Sequence, residues 1–372
     1  MMKMQLVEVK DTKGQKDFIQ FSKDLYKNHK EWITPLDDDI NETFDPLRNE
    51  AFARDGHAKR WMLFQNGKAI GRIAAFYNTI LNSKERECGA GFFDCIDDQD
   101  AANMLFDAAA NWLNEQGFTE MTAPINFGDR DSFWGLMVEG FTNHAYRENF
   151  NFPYYQALFE NYGFEKTIEQ STSVITKGTF NYERFSKIAN RVKSNPKIEF
   201  RALDWSKIDQ IAKDFVYIYN KAWSNHDFFV PMTIEKIMPR MKLMKAIAPG
   251  DLNFFAYVDG EPAAFQVMVL DVNQVFKHVN GKLNLLGKLK FLWYRKKVDR
   301  VRAIVFGVTP DHQNKGLDLG LIMSYYDAID KRPRIKYTEL AWIGDFNPKM
   351  HSMFDSMGAK RIKLHYTYAK SI

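Results

Sequence analysis

The run Val308-Thr-Pro-Asp-His-Gln-Asn-Lys-Gly-Leu-Asp-Leu-Gly320 lies between a β-rich stretch and a segment of helical periodicity. Such a loop presents backbone N–H groups at the start of a helix. Gly316 admits close approach and Lys315 adds positive charge, so the loop makes an anion site suited to a pyrophosphate. A plain strand-to-helix turn with one glycine would read the same way. Two carboxylates could act as bases nearby, Glu339 on the following strand and Asp345 just past it. The competing expectations are a solvated strand glutamate and an ordinary turn aspartate. Tyr325 and Tyr326 sit on a helix expected to bury one and expose the other. His226, beside Trp223 and Phe228-Phe229, either lines a substrate side or belongs to a surface loop. Cys88 and Cys95, seven apart on one strand, should point to opposite faces. Two cysteines make no disulfide framework, and no His/Cys cluster has metal-ligand spacing, so no metal is expected. No Ser-His-Asp or Cys-His set has supporting context.

The chain has 372 residues and a net charge of +4, unevenly placed. Residues 274–302 carry nine basic side chains against Asp299 alone, a local +8 that leaves −4 for the rest. Leu283, Leu286, Leu289 and Leu292 recur there at helical spacing among lysines, which predicts an amphipathic helix pair. It would pack on its own domain, dock an acidic partner such as an acyl carrier protein, or touch an anionic membrane surface. No helix-turn-helix, zinc-finger or RNP pattern accompanies the charge, so no specific nucleic-acid partner is expected. No apolar run approaches the ~18 residues of a membrane span. The first ten residues have no apolar core of a signal peptide, and a cytoplasmic location follows as the expectation.

The elements that must position these residues come twice. A helical stretch over 16–28 precedes two strands joined at Asn66-Gly67. Then come a strand at 91–96, a helix from Asp97 to about Gln116, a strand at 120–127, and a short helix stopped by Gly163 before a further strand. The second half has a helix over 208–223 and a hairpin turning at Asp259-Gly260. A strand at 302–308, a helix over 318–330, a strand at 337–343, a short helix stopped by Gly358 and a last strand follow. The hairpin glycines lie 193 apart and the helix-stop glycines 195 apart, as a duplication gives. The expected fold is α/β with mixed, mainly antiparallel sheets, as two domains, 1–190 and 191–372, meeting in the polar stretch 177–197. The stretch 37–45 reads as an acidic loop.

This order resembles the GNAT (N-acetyltransferase) superfamily: a hairpin, a strand ending Val308-Thr-Pro310, then Gln313-Asn-Lys-Gly316-Leu-Asp318 before a helix, and Asn347 to Gly358-Ala359. Ala157-Leu-Phe-Glu-Asn-Tyr-Gly-Phe164 is similar to the family's second motif in the first half. The layout resembles a group of bacterial tandem GNAT-like proteins with a basic insertion at Asn273-Gln274 to Asn280-Gly281. The resemblance implies acyl transfer from acetyl-CoA or a longer acyl-CoA to a small-molecule or peptide amine. The pyrophosphate cradle would be Gln313, Asn314, Lys315, Gly316, Leu317 and Asp318, with Asn347 opening the second motif. Phe306 and Val308 would pair with the pantetheine arm, and the basic segment could also hold the adenosine phosphate. Three departures stand out. Asp318 replaces a small residue in the cradle. Phe354, and Phe159 in the first half, replace the acid tyrosine. The first-half loop Asp97-Asp-Gln-Asp100 has no glycine and three acids. The resemblance therefore places acyl-CoA in the second half, with the first a non-catalytic partner in an intramolecular pseudo-dimer and the chain a functional monomer. The alternatives are a non-catalytic acyl-CoA-binding or scaffold protein, and transfer from an aminoacyl-tRNA, which tandem folds of this family also perform.

Overall fold

Both hairpin turns adopt the backbone that their sequences favour. Asn66 and Gly67 have φ of +51° and +78°, Asp259 and Gly260 +50° and +87°, the paired positive angles of a two-residue turn matching strand twist. The computed structural model describes residues 3–53, 55–78, 88–128, 132–224 and 231–372. The first half runs β1 (Met4–Glu8), α1 (Thr12–Leu25), α2 (Asp37–Thr43), α3 (Glu50–Ala53), β2 (Gly56–Gln65), β3 (Lys68–Asn78), β4 (Cys88–Cys95), α4 (Gln99–Glu115), β5 (Glu120–Ala123), β6 (Leu136–Glu139), α5 (Tyr155–Tyr162) and β7 (Glu165–Thr176). After α6 (Tyr182–Lys193) come β8 (Ile198–Ala202), α7 (Ile208–Trp223), α8 (Ile234–Met244), β9 (Phe254–Val258) and β10 (Glu261–Leu270). The chain closes with α9 (Asn273–Phe276), α10 (Leu285–Tyr294), β11 (Arg300–Val308), α11 (Leu317–Asp330), β12 (Tyr337–Gly344), α12 (Pro348–Ser356) and β13 (Lys360–Ser371).

The strands form one sheet in the order β1-β2-β3-β4-β5-β13-β7-β12-β11-β10-β9-β8, with β6 alongside β13. The architecture is mixed α/β and the sheet mainly antiparallel; β4–β5 and β11–β12 are its parallel pairs. The two halves exchange their last strands. β13 pairs with β5 of the first half, Tyr368 opposite Ala123. β7 pairs with β12 of the second half, Glu339 opposite Val174. Helix α4 covers the first half with Leu105, Phe106 and Leu113, all fully buried against Leu63 and Ile73. Each such side chain contributes about 1.5–3 kcal/mol of burial. Helix α11 does the same in the second half, with Ile322, Tyr325 and Tyr326 packed on Val301 and Leu340.

Three expectations are corrected. Cys88 and Cys95 point to one face, because Phe92 and Phe93 together oppose one residue of β3. Their partners, Tyr77 and Gly71, are six apart, and both cysteines join one core. The acidic stretch opens as helix α2, where Asp37, Asp38 and Asp39 sit at the positive end of the helix dipole and Asp37 meets Lys23 at 2.5 Å. Tyr325 and Tyr326 are both buried, since α11 is covered by the sheet on one side and by α6 on another. The Phe180 ring preceding α6 stacks on Tyr326 at 3.5 Å. The polar stretch 177–197 holds α6, whose Phe185 and Ala189 enter the second core.

Candidate active site

The closed end of the candidate site is set by strand pairing. β11 and β12 run parallel from Arg300 opposite Tyr337 to Ala303 opposite Leu340, and there their ladder stops. From Ile304 to Val308, β11 keeps β10 on one side, with Ile304 bulged out between Ala303 and Val305, and its β12-facing edge carries no ladder partner. Past Leu340, β12 shifts register and follows β7. A wedge results, with main-chain polar groups along one wall, where an extended ligand could add as a half-strand. Phe306 and Val308 line that segment, half-buried among Leu317 and Leu321.

At the wide end the loop turns into α11. Asn314 and Gly316 have φ of +59° and +78°. Gly316 is the helix cap, and no side chain accepts from the first-turn N–H groups. A Cβ at Gly316 would come within 2.9 Å of Val192 Cγ2. Gln313, Asn314 and Lys315 are exposed, and Leu317 is buried as the anchor of the turn. Asp318 lies in the first turn without capping it. An uncapped helix start with a flanking lysine fits a pyrophosphate. The matching position in the first half does not: the Asp98 carboxylate accepts from Ala101 N at 3.0 Å and closes its own helix start, with Asp100 in the first turn. Asn347 serves α12 as N-cap, accepting from Met350 N at 3.2 Å. Phe354 is buried in the second core and offers no hydroxyl.

The two carboxylates flagged in the sequence part company. Asp345 is exposed and tied to β7, its N–H donating to Glu169 O at 2.9 Å. Glu339 is 1% exposed at the closed end of the wedge. Three cations surround it: Arg300 at 3.0 Å, Arg302 at 3.5 Å and Lys363 at 3.4 Å. Lys363 also meets Glu148 of the first half at 2.5 Å. Burial opposes the charge on Glu148, but Lys363 and then Arg302 hold its pKa well below the usual carboxylate range. Burial likewise depresses Lys363, yet Glu148 and Glu339 outweigh it and leave the ammonium above an ordinary lysine. Asp271 joins the cluster, its carboxyl pushed up to about 6 by burial and then by the Glu339 charge. Glu148, Lys363 and Asp271 carry no motif, and Glu148 and Glu339 meet only through the fold, so sequence reasoning missed them. His226, Phe228 and Phe229 lie outside the described residues. Among the described residues no cluster with metal-binding potential occurs.

A cavity of about 70 Å³ lies instead in the first half, between α1, β4 and residues 144–151. Its polar wall is satisfied: Asp94 accepts from Ser22 Oγ at 2.6 Å, Tyr26 OH at 3.0 Å and Arg72 Nε at 2.8 Å. An open depression of about 480 Å³ bordered by Tyr217, Lys221 and Pro310 adjoins the loop after β11. We assign the candidate site to the wedge, since its strand edge and helix start leave main-chain groups without a ladder or capping partner, whereas the polar groups of the small cavity are already paired with one another.

His144 shares that first-half wall and also fastens the halves together. Ile33 N donates to its Nε2 at 3.0 Å, and Asn273 Nδ2 donates to its carbonyl at 2.9 Å. Burial lowers its pKa to about 4 from 6.5. As pH falls the unfolded chain takes the proton first, so this contribution is complete above about pH 6.5 and drains toward pH 4. We expect wild-type protein to lose about 2 kcal/mol between pH 7.5 and 5 from this residue alone. Urea unfolding of His144→Gln should show a correspondingly flatter pH dependence; parallel curves would refute the assignment.

No family model matches the chain. Its fold is that of the GNAT proteins, twice over in tandem. It superposes on a tandem GNAT protein from the clavulanic acid biosynthesis pathway with a TM-score of 0.60 and 11% identity, over 99% of this chain and 98% of that one. A GCN5-related glucosamine N-acetyltransferase region of a fungal multi-domain β-N-acetylglucosaminidase superposes with a TM-score of 0.58 and 12% identity, over 100% of this chain and 38% of that one. In sequence the chain is 28% identical over 370 residues to protein YghO of Escherichia coli, covering 96% of this chain and 93% of that one. It is 26% identical over 387 residues to a bacterial ceramide synthase of Caulobacter vibrioides, covering 99% and 98%.

Proposed function

We propose that this protein N-acylates a long-chain amino alcohol of the sphingoid type, using an acyl-CoA held in the second-half wedge. The observation that carries the proposal is the free β11 edge leading to an uncapped helix start at Gly316. The ceramide synthase relative supports the acceptor, because a ceramide is the amide of such a base. When bound, the thioester supplies an activated acyl carbon. The amine nitrogen attacks it, the C–S bond breaks, and the proton lost by the amine ends on the departing thiolate. The first N–H groups of α11 and Lys315 hold the pyrophosphate; main-chain N–H groups of the 304–308 segment polarise the carbonyl. The amine proton passes first to a carboxylate, Glu339 at the closed end of the wedge or Asp345 just past β12.

Phe354 leaves the thiolate without the usual tyrosine. A thiol pKa of ~8.5 makes its protonation easy near neutrality, so an acid there is worth only about 1–2 kcal/mol. Phe354→Tyr is therefore expected to change turnover by no more than about 30-fold, and Val308→Pro, which removes an N–H of the wedge wall, to lower it by about 100-fold or more. The assay follows CoA thiol release and amide mass with a long-chain amino diol and acyl-CoAs of graded length. The absence of both products across the series would overturn the activity. A second reading, an acyl-CoA-binding protein without catalysis, draws on the same Phe354 and on the three cations enclosing Glu339. Turnover in Phe354→Tyr alone, with none in wild type, would favour it.

A further inference from the structure

Helix α10 turns its leucines outward. Leu285, Leu286, Leu289, Leu292 and Trp293 are 77%, 61%, 57%, 52% and 67% exposed. Their spacing makes one continuous apolar stripe along a ten-residue helix. The helix cannot roll to bury them. Its inner face is fixed by Phe291 packed on Phe276 at 6.1 Å, and by Gly287, where a Cβ would come within 2.3 Å of Lys282 O. Asn284 caps it, accepting from Gly287 N at 2.9 Å. The turn before it is anchored on the first half, where Asp37 N donates to Gly281 O at 2.9 Å.

The charge around the stripe is largely free of carboxylate partners, although Lys290 Nζ donates to His278 O at 3.0 Å and Lys297 lies over the Trp293 ring at 5.7 Å. Arg300 and Arg302 are spent on Glu339. Lys277, Lys282, Lys288, Lys290, Arg295, Lys296 and Lys297 enter no ion pair among the described residues. Arg295 donates to Ala246 O at 3.3 Å, joining the turn after α8 to this end of the helix. That turn follows Leu243, 77% exposed between the exposed Lys242 and Lys245. The helix is too short to cross a bilayer, and no helix among the described residues is long and apolar enough to do so.

We propose that α10 docks the protein on an anionic phospholipid surface, lying in the interfacial plane with its leucines and Trp293 in the acyl boundary and its lysines among the headgroups. Five exposed apolar side chains gain by leaving water only where the partner is itself apolar beneath a charged layer, and a bilayer supplies both at the spacing of one helix face. An acidic soluble protein would answer the lysines and leave the leucine stripe unexplained. This inference does not rest on the acyl-transfer reading.

The test is co-sedimentation of the full chain with vesicles of phosphatidylcholine alone or mixed with phosphatidylglycerol, at low and high salt. Wild type is expected to pellet with the mixed vesicles, and less so at high salt. The triple change Leu285→Ser, Leu289→Ser and Leu292→Ser, all at exposed positions, should weaken binding at least about tenfold with an unchanged melting curve. Leu289→Cys carrying an environment-sensitive dye should shift to the blue on anionic vesicles. Wild type remaining in the supernatant, equal binding by the triple variant, or a dye that responds to an acidic carrier protein and not to vesicles would each overturn the proposal.

Discussion

Gly316→Glu is expected to abolish acyl-CoA binding while the protein stays folded. The position has φ of +78° and caps α11 in the candidate pyrophosphate seat. A glutamate there would put a side chain and a negative charge where phosphate oxygens need the first-turn N–H groups. The backbone strain of any non-glycine residue costs roughly 1 kcal/mol, and the nearby Val192 Cγ2 adds a contact that must relax. Gly316→Ala carries the same strain without the charge and serves as the control. Calorimetric titration with acyl-CoA should show binding weakened beyond detection in Gly316→Glu and only modestly weakened in Gly316→Ala. Wild-type affinity in Gly316→Glu would remove the loop from the site.

Lys363→Met is expected to cost about 3–5 kcal/mol of stability, the usual penalty for removing one partner of a buried ion pair. The ammonium is fully buried between Glu148 and Glu339, contributed by the two halves. Without it both carboxylates face each other with Arg300 and Arg302 as their remaining cations. Against a total stability of about 5–15 kcal/mol, such a loss would leave the chain marginal. Lys363→Met combined with Glu148→Gln should recover a large part, because the two changes act on one contact. Chemical denaturation measures both. A single variant within about 1 kcal/mol of wild type would mean the cluster is more hydrated than its burial implies.

What the sequence made legible is what local chemistry encodes. Asn66-Gly67 and Asp259-Gly260 specify turns by themselves, and Asp98 and Asn347 announce helix starts because their side chains cap the first turn. The repeat followed from those markers, and with it the fold. What stayed hidden depends on long-range pairing. No local signal places β13 between β5 and β7, since both of its edges are satisfied by the other half. Glu339 read as a solitary strand carboxylate because Lys363 and Glu148 reach it only through that insertion. The cysteine faces were misjudged because a bulge adds one residue to β4, which period-two counting cannot anticipate. The leucine spacing of α10 was visible; that the stripe faces water was not, because periodicity gives a helix its stripe and leaves the direction to packing.

The most direct test of the wedge as the acyl-CoA site is a crystal structure of the full chain with a non-hydrolysable acyl-CoA analogue. The pantetheine is expected to extend along residues 304–308, with the pyrophosphate over the first-turn N–H groups of α11 and the acyl carbonyl near the closed end of the wedge by Ala303. Ligand density in the first-half cavity between α1 and β4, with the wedge closed or empty, would contradict it.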